Sequence, residues 1–185
     1  MDRLGSSDTF TIATAQLFDG TAMRGPASVR ISNGRIESVR CGEGKARAST
    51  NLPADVILAP GFIDVQVNGG GGVLLNDQPT EEGVRRIVEV HRRAGTTGCL
   101  PTLITDRCEV IEQLAAVAEA CLQIPGVLGF HLEGPALNRS RKGIHPESLI
   151  RLPNRRDLAT QAFAAAITLQ FFWLDGVSPY RCVRL

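Results

Sequence analysis

The sequence predicts an α/β protein: a small all-β unit over residues 1–59, followed by strand–helix–strand repeats. Three observations carry this expectation. Asn33-Gly34 sits between two β-prone runs and marks a two-residue hairpin, because both residues accept positive φ. Pro60-Gly61 then breaks the chain. From Phe62 onward, strand-length apolar runs alternate with stretches of helical period, the pattern of parallel βαβ units.

In the first unit, Thr9 to Ala13 reads as a strand, and Val56 to Leu58 as another. Ser28 to Ser32 and Arg35 to Val39 form the hairpin, with Ile31 opposite Ile36. Cys41 to Pro53 is small, polar and Gly-containing and reads as a loop.

The second part opens with a strand, Phe62 to Val67, then Asn68 and four glycines, Gly69 to Gly72. Thr80 to Ala94 is predicted helical. Thr80 supplies an N-cap, Glu81 and Glu82 suit the positive end, Arg92 and Arg93 suit the negative end, and Gly95 stops it. Val84, Ile87, Val88 and His91 make its inward stripe. Gly98 to Ile104 is the next strand. Asp106 and Glu109 have the spacing of a cap and its capping-box partner for a helix reaching about Leu122. Its inward residues are Ile111, Leu114, Ala115 and Ala118. Pro125-Gly126 closes it, and Val127 to Leu132 leads as a strand to Glu133.

Such alternation starts either a doubly wound sheet or a (β/α)8 barrel. A whole barrel takes roughly 250 residues, so a barrel here is expected to be about its first half. Asp157 to Leu174 can form a helix, whereas the final FFWLDGVSPYRCVRL shows no clear period.

Composition excludes some partners. A formal net charge of +1 gives no large field, so neither nucleic acid nor a membrane surface is expected. The five cysteines are odd in number and form no C-x-x-C pair, which fits a reducing cytoplasm rather than a disulfide framework. The first residues lack a signal-peptide h-region, and the apolar stretch Ala162 to Leu174 is shorter than the about 20 residues a span takes.

The chemistry concentrates between Val127 and Pro146. A carboxylate at a strand's C-terminal end, facing a loop with Lys142, Gly143 and His145, is a common active-site layout in α/β enzymes. The plain alternative is a solvated terminal acid. His145 has few structural reasons to be there and reads as an exposed imidazole. His131 shares a face with Glu133 and reads foremost as a hydrogen-bonded core histidine. Asp64, Gln66 and Asn68 also share one strand face, either as site residues or as a polar cluster satisfying its own hydrogen bonds. The glycine run fits neither phosphate-loop pattern, and reads as a tight strand exit allowing close backbone approach.

Three stretches, LAPGFIDVQVNGGGG (Leu58 to Gly72), GTTGCLPTLIT (Gly95 to Thr105) and GFHLEGPALNRSRKGIHP (Gly129 to Pro146), closely resemble the N-acetylglucosamine-6-phosphate deacetylase family of the amidohydrolase superfamily. The likeness covers roughly residues 8 to 153. It implies the first part of a metal-dependent (β/α)8 barrel over 60–153, preceded by a small β-sandwich-type domain over 1–59, truncated, with a divergent tail over 154–185. It implies hydrolysis of the N-acetyl group of N-acetylglucosamine 6-phosphate to glucosamine 6-phosphate and acetate, with one divalent, zinc-like metal ion. The partner implied is a small-molecule amino-sugar phosphate, and full-length members are expected to be homo-oligomers.

By the resemblance, Glu133 matches the metal-binding glutamate, and Ile144 and His145 match the pair that contacts the sugar. Gln66 and Asn68 stand where many amidohydrolases carry a His-x-His pair, which implies the one-metal form of the site. The family's remaining metal histidines and its catalytic aspartate lie on later strands, and no histidine follows His145. The chain alone is therefore expected to be inactive and to bind metal weakly. Two rival readings are another amidohydrolase, against which the Lys-Gly-x-His loop argues, and a non-catalytic fragment or pseudo-enzyme module, which the missing histidines favour.

Overall fold

The computed structural model describes residues 9–42, 48–152 and 154–156, and the backbone of 167–170. It divides into two compact units, one ending at Pro60 and the other starting at Gly61.

The first unit contains β1 (Phe10–Thr14), β2 (Gln16–Leu17), β3 (Ala27–Ser32), β4 (Arg35–Cys41), β5 (Thr50–Asn51) and β6 (Ile57–Leu58). A four-stranded sheet has the order β4-β3-β1-β5, and β2 pairs with β6. The β3–β4 hairpin turns at Asn33 (φ 52°) and Gly34 (φ 71°), with Ile31 facing Ile36 as the turn chemistry requires. Leu17, Ala27 and Val29 form its core, with Ile31 and Leu58 packed against them. Two short strands depart from expectation. β5 lies in the stretch that reads as loop and runs parallel to β1, and β2 has only two residues, too few to show a period.

The second unit contains β7 (Phe62–Val67), β8 (Gly69–Gly70), β9 (Val73–Leu74), α1 (Glu81–Arg93), β10 (Thr96–Ile104), α2 (Cys108–Cys121), β11 (Phe130–Glu133) and β12 (Ile167–Gln170). The order of its main sheet is β12-β11-β10-β7, and every neighbouring pair is parallel. Parallel neighbours need crossovers, and α1 and α2 supply the first two. Leu75, Val84, Ile87, Cys99, Leu114 and Phe130 are among the residues of the core beneath these helices. The architecture is mixed α/β.

The glycine run is a hairpin between β8 and β9. Gly71 (φ 62°) and Gly72 (φ 78°) make the turn, and a Cβ on Gly69 would lie 2.3 Å from the Val73 carbonyl oxygen. The close approach is thus to another strand. His91 caps the same feature, with Nε2 2.9 Å from the Gly69 carbonyl oxygen.

Thr80 caps α1 by accepting from the Gly83 amide. The corresponding expectation for α2 is corrected. Its N-cap is Arg107, with no side-chain cap bond, because Asp106 instead receives the Asn76 amide at 2.8 Å. Helix α2 buries Val110 and Cys121 beside Ile111, Leu114 and Ala118, while Ala115 sits half-buried at the edge. The strand expected from Val127 begins at Phe130; Val127 makes an isolated bridge to Cys99. Residues 167–170, expected within a helix, form strand β12, and most of that predicted helix lies outside the described residues. Parallel pairing with β11 sets their conformation, overriding a weak helical pattern.

Candidate active site

Strand β10 sets the site's floor. It pairs Thr102 with His131 and Ile104 with Glu133 on β11. Asn76 fixes the end of β10 through both its amide atoms: it donates to the Ile104 carbonyl at 3.1 Å and accepts from the Ile104 amide at 3.1 Å. Glu133 then projects from the last position of β11.

Both carboxylate oxygens of Glu133 have partners. Gln66 Nε2 donates to Oε2 at 2.9 Å, and His145 Nε2 lies 3.4 Å from Oε1. The backbone from Gly134 carries the chain through a short 3₁₀ turn at Arg139–Arg141 before returning His145. A cavity of about 370 Å³ opens there, walled by Glu133, His145, Asn138, Arg141, Lys142 and Ile144.

His145 corrects the sequence expectation. Its imidazole is 6% exposed rather than solvated, since Nδ1 lies 2.9 Å from the Thr105 hydroxyl and the ring packs beside Glu133. Ile144 is 84% exposed and lines the cavity. His131 is buried, with Nδ1 3.2 Å from the Thr102 hydroxyl, below rather than beside Glu133. Gln66 reaches the site, and Asn68 is half-buried at the strand's end, where its carbonyl accepts from Leu75. Thr102, Thr105 and Asn76 escaped the sequence reading. Their signal is faint: hydroxyl and amide residues at the ends of apolar runs, where loops also place them.

The donor set decides what the site can hold. Among the described residues, no three His, Cys, Asp or Glu side chains converge on a point. Gln66 presents its amide donor to Glu133, not a ligand oxygen to an ion. The described residues therefore contribute one carboxylate and do not fit a complete divalent-ion centre.

A parallel α/β unit with a strand-end acid and a loop histidine is a layout that active sites of α/β enzymes use. The chain belongs to the amidohydrolase family, whose model matches residues 57–172. It is 51% identical over 96 residues to N-acetylgalactosamine-6-phosphate deacetylase of Shewanella sp. (strain ANA-3), a match covering 51% of this chain and 24% of that protein. It is 44% identical over 107 residues to human N-acetylglucosamine-6-phosphate deacetylase, with the same two coverages. The solved N-acetyl-D-glucosamine-6-phosphate deacetylase of Mycobacterium smegmatis superposes with a TM-score of 0.76 at 28% identity, covering 85% of this chain and 42% of that one. The chain thus spans about a quarter of the length of the curated relatives it matches. Among the described residues, no helix is long and apolar enough to cross a membrane.

Proposed function

We propose that this chain carries the opening part of an amino-sugar-phosphate deacetylase site. The reaction is removal of the N-acetyl group of N-acetylglucosamine 6-phosphate, giving glucosamine 6-phosphate and acetate. The observation that supports it is the Glu133–His145 contact of 3.4 Å at the mouth of a cavity of about 370 Å³. In this reading β7, β10, β11 and β12 are the first strands of a (β/α)8 barrel, which their parallel pairing in chain order supports. The all-β unit, residues 1–59, belongs to a β-sandwich-type domain.

His145 and the backbone of Ile144 orient the sugar in the cavity. Glu133 offers a single ligand toward a divalent ion. Gln66 and the His145 ring hold that carboxylate in place. Hydrolysis also needs a base to take the proton from water, and among the described residues the cavity's acid is Glu133, already occupied. On this reading the chain alone is expected to show no turnover. We place the protein in the cytoplasm, consistent with its odd cysteine count.

The Shewanella relative favours a second reading, N-acetylgalactosamine 6-phosphate, which differs at one sugar hydroxyl. Isothermal titration of both sugar phosphates into the chain, with acetate release followed in parallel, tests the proposal. Saturable binding of either sugar without turnover is expected, and weakened binding in His145→Ala. No binding of either at millimolar concentration contradicts it, and acetate release that depends on Glu133 contradicts the stated inactivity.

A further inference from the structure

Gly134 follows Glu133 with φ of +98°, and a Cβ built on it would stand 2.0 Å from the Thr105 hydroxyl oxygen. The glycine therefore provides the left-handed backbone and also the space that this hydroxyl fills. Thr105 is 3% exposed. Its Oγ1 lies 2.9 Å from His145 Nδ1 and donates to the Glu133 carbonyl oxygen at 3.3 Å. A hydroxyl has one proton. The hydroxyl oxygen and Nδ1 are within hydrogen-bond distance, and the ring's tautomer sets which of the two donates.

We propose that Thr105 is a positioning residue: it grips the Nδ1 edge of His145 and so turns Nε2 into the cavity beside Glu133. Gly134 makes this grip possible. The assignment of His145 to substrate binding rests on the reading above, but the grip itself does not.

The same device occurs in the layer beneath. Thr102 Oγ1 accepts the Val67 amide at 3.0 Å, donates to the Leu100 carbonyl at 3.0 Å, and lies 3.2 Å from His131 Nδ1. There too a threonine hydroxyl shared with a carbonyl meets a histidine Nδ1. His131 does not touch Thr105 through any of these bonds, which makes it an internal control.

The test is ring ¹⁵N spectroscopy of the full chain labelled at histidine, at neutral pH. In the wild type the His145 Nδ1 signal is expected to be that of a hydrogen-bonded ring nitrogen; a signal of a nitrogen without a partner overturns the proposal without any variant. Thr105→Val is expected to move the His145 Nδ1 signal toward that of a nitrogen without a hydrogen-bond partner while His131 is unchanged. Thr105→Ser keeps the hydroxyl and is expected to retain the wild-type His145 pattern. An unchanged His145 in Thr105→Val, or a change as large in Thr105→Ser, overturns the grip. Adding N-acetylglucosamine 6-phosphate separates the two claims. A wild-type His145 signal indifferent to the sugar contradicts substrate binding, whatever the Thr105 variants show.

Discussion

Gln66 on β7 and Glu133 on β11 meet at 2.9 Å although β10 lies between their strands. The bond ties the far edge of the sheet to the strand-end carboxylate. Gln66 is exposed, so water can replace much of what its removal takes away. Gln66→Ala is expected to cost about 0.5–1.5 kcal/mol, the net worth of one hydrogen bond, measured by urea unfolding.

Gly134→Ala is expected to be far more damaging. Left-handed strain costs about 1–3 kcal/mol, and forcing a methyl into a filled space costs a similar amount. With its Cβ 2.0 Å from Thr105 Oγ1, the variant is expected to lose roughly 2–6 kcal/mol in total. Urea unfolding of the two variants side by side checks the ranking.

The core makes a plainer prediction. Phe130 is fully buried in the core of the second unit. Phe130→Ala is expected to cost about 3–5 kcal/mol through lost burial and the cavity left behind. Thermal unfolding followed by circular dichroism reads it.

The thiols give a pH dependence. Burial pushes Cys99 and Cys121 up to about 11, with the Asp64 charge adding to the effect at Cys99. Each folded thiol holds its proton more tightly than in the unfolded chain. Their contribution is thus intact below about pH 9, the ordinary thiol value, and is lost as pH rises toward about 11. Urea midpoints are expected to fall across that window. A disulfide-exchange reagent at neutral pH is expected to label exposed Cys41 quickly and Cys99 and Cys121 only on unfolding.

Much of the fold was legible because short-range rules decided it. Asn33-Gly34 fixed a hairpin, Thr80 fixed a helix start, and the period of Val84, Ile87 and Val88 fixed an inward face. Failures came where a distant residue outbid a local one. Asp106 would cap α2, but Asn76, thirty residues earlier, takes its carboxylate. His145 has no neighbour in sequence that explains its burial; Thr105, just past β10, and Glu133, at the end of β11, do so. The place of Glu133 at a strand end was legible from the apolar run before it, whereas Thr102 and Thr105 look like ordinary residues of a strand and its exit.

Glu133 and His145 are proposed to form a sugar-phosphate-binding corner. It is read out most directly by the His145 ring ¹⁵N signal of the full chain during titration with N-acetylglucosamine 6-phosphate. A saturable shift is expected in the wild type, weakened in Glu133→Gln, with His131 unmoved. A His145 signal that stays fixed up to millimolar sugar, in a chain whose His131 signal shows it to be folded, would contradict it.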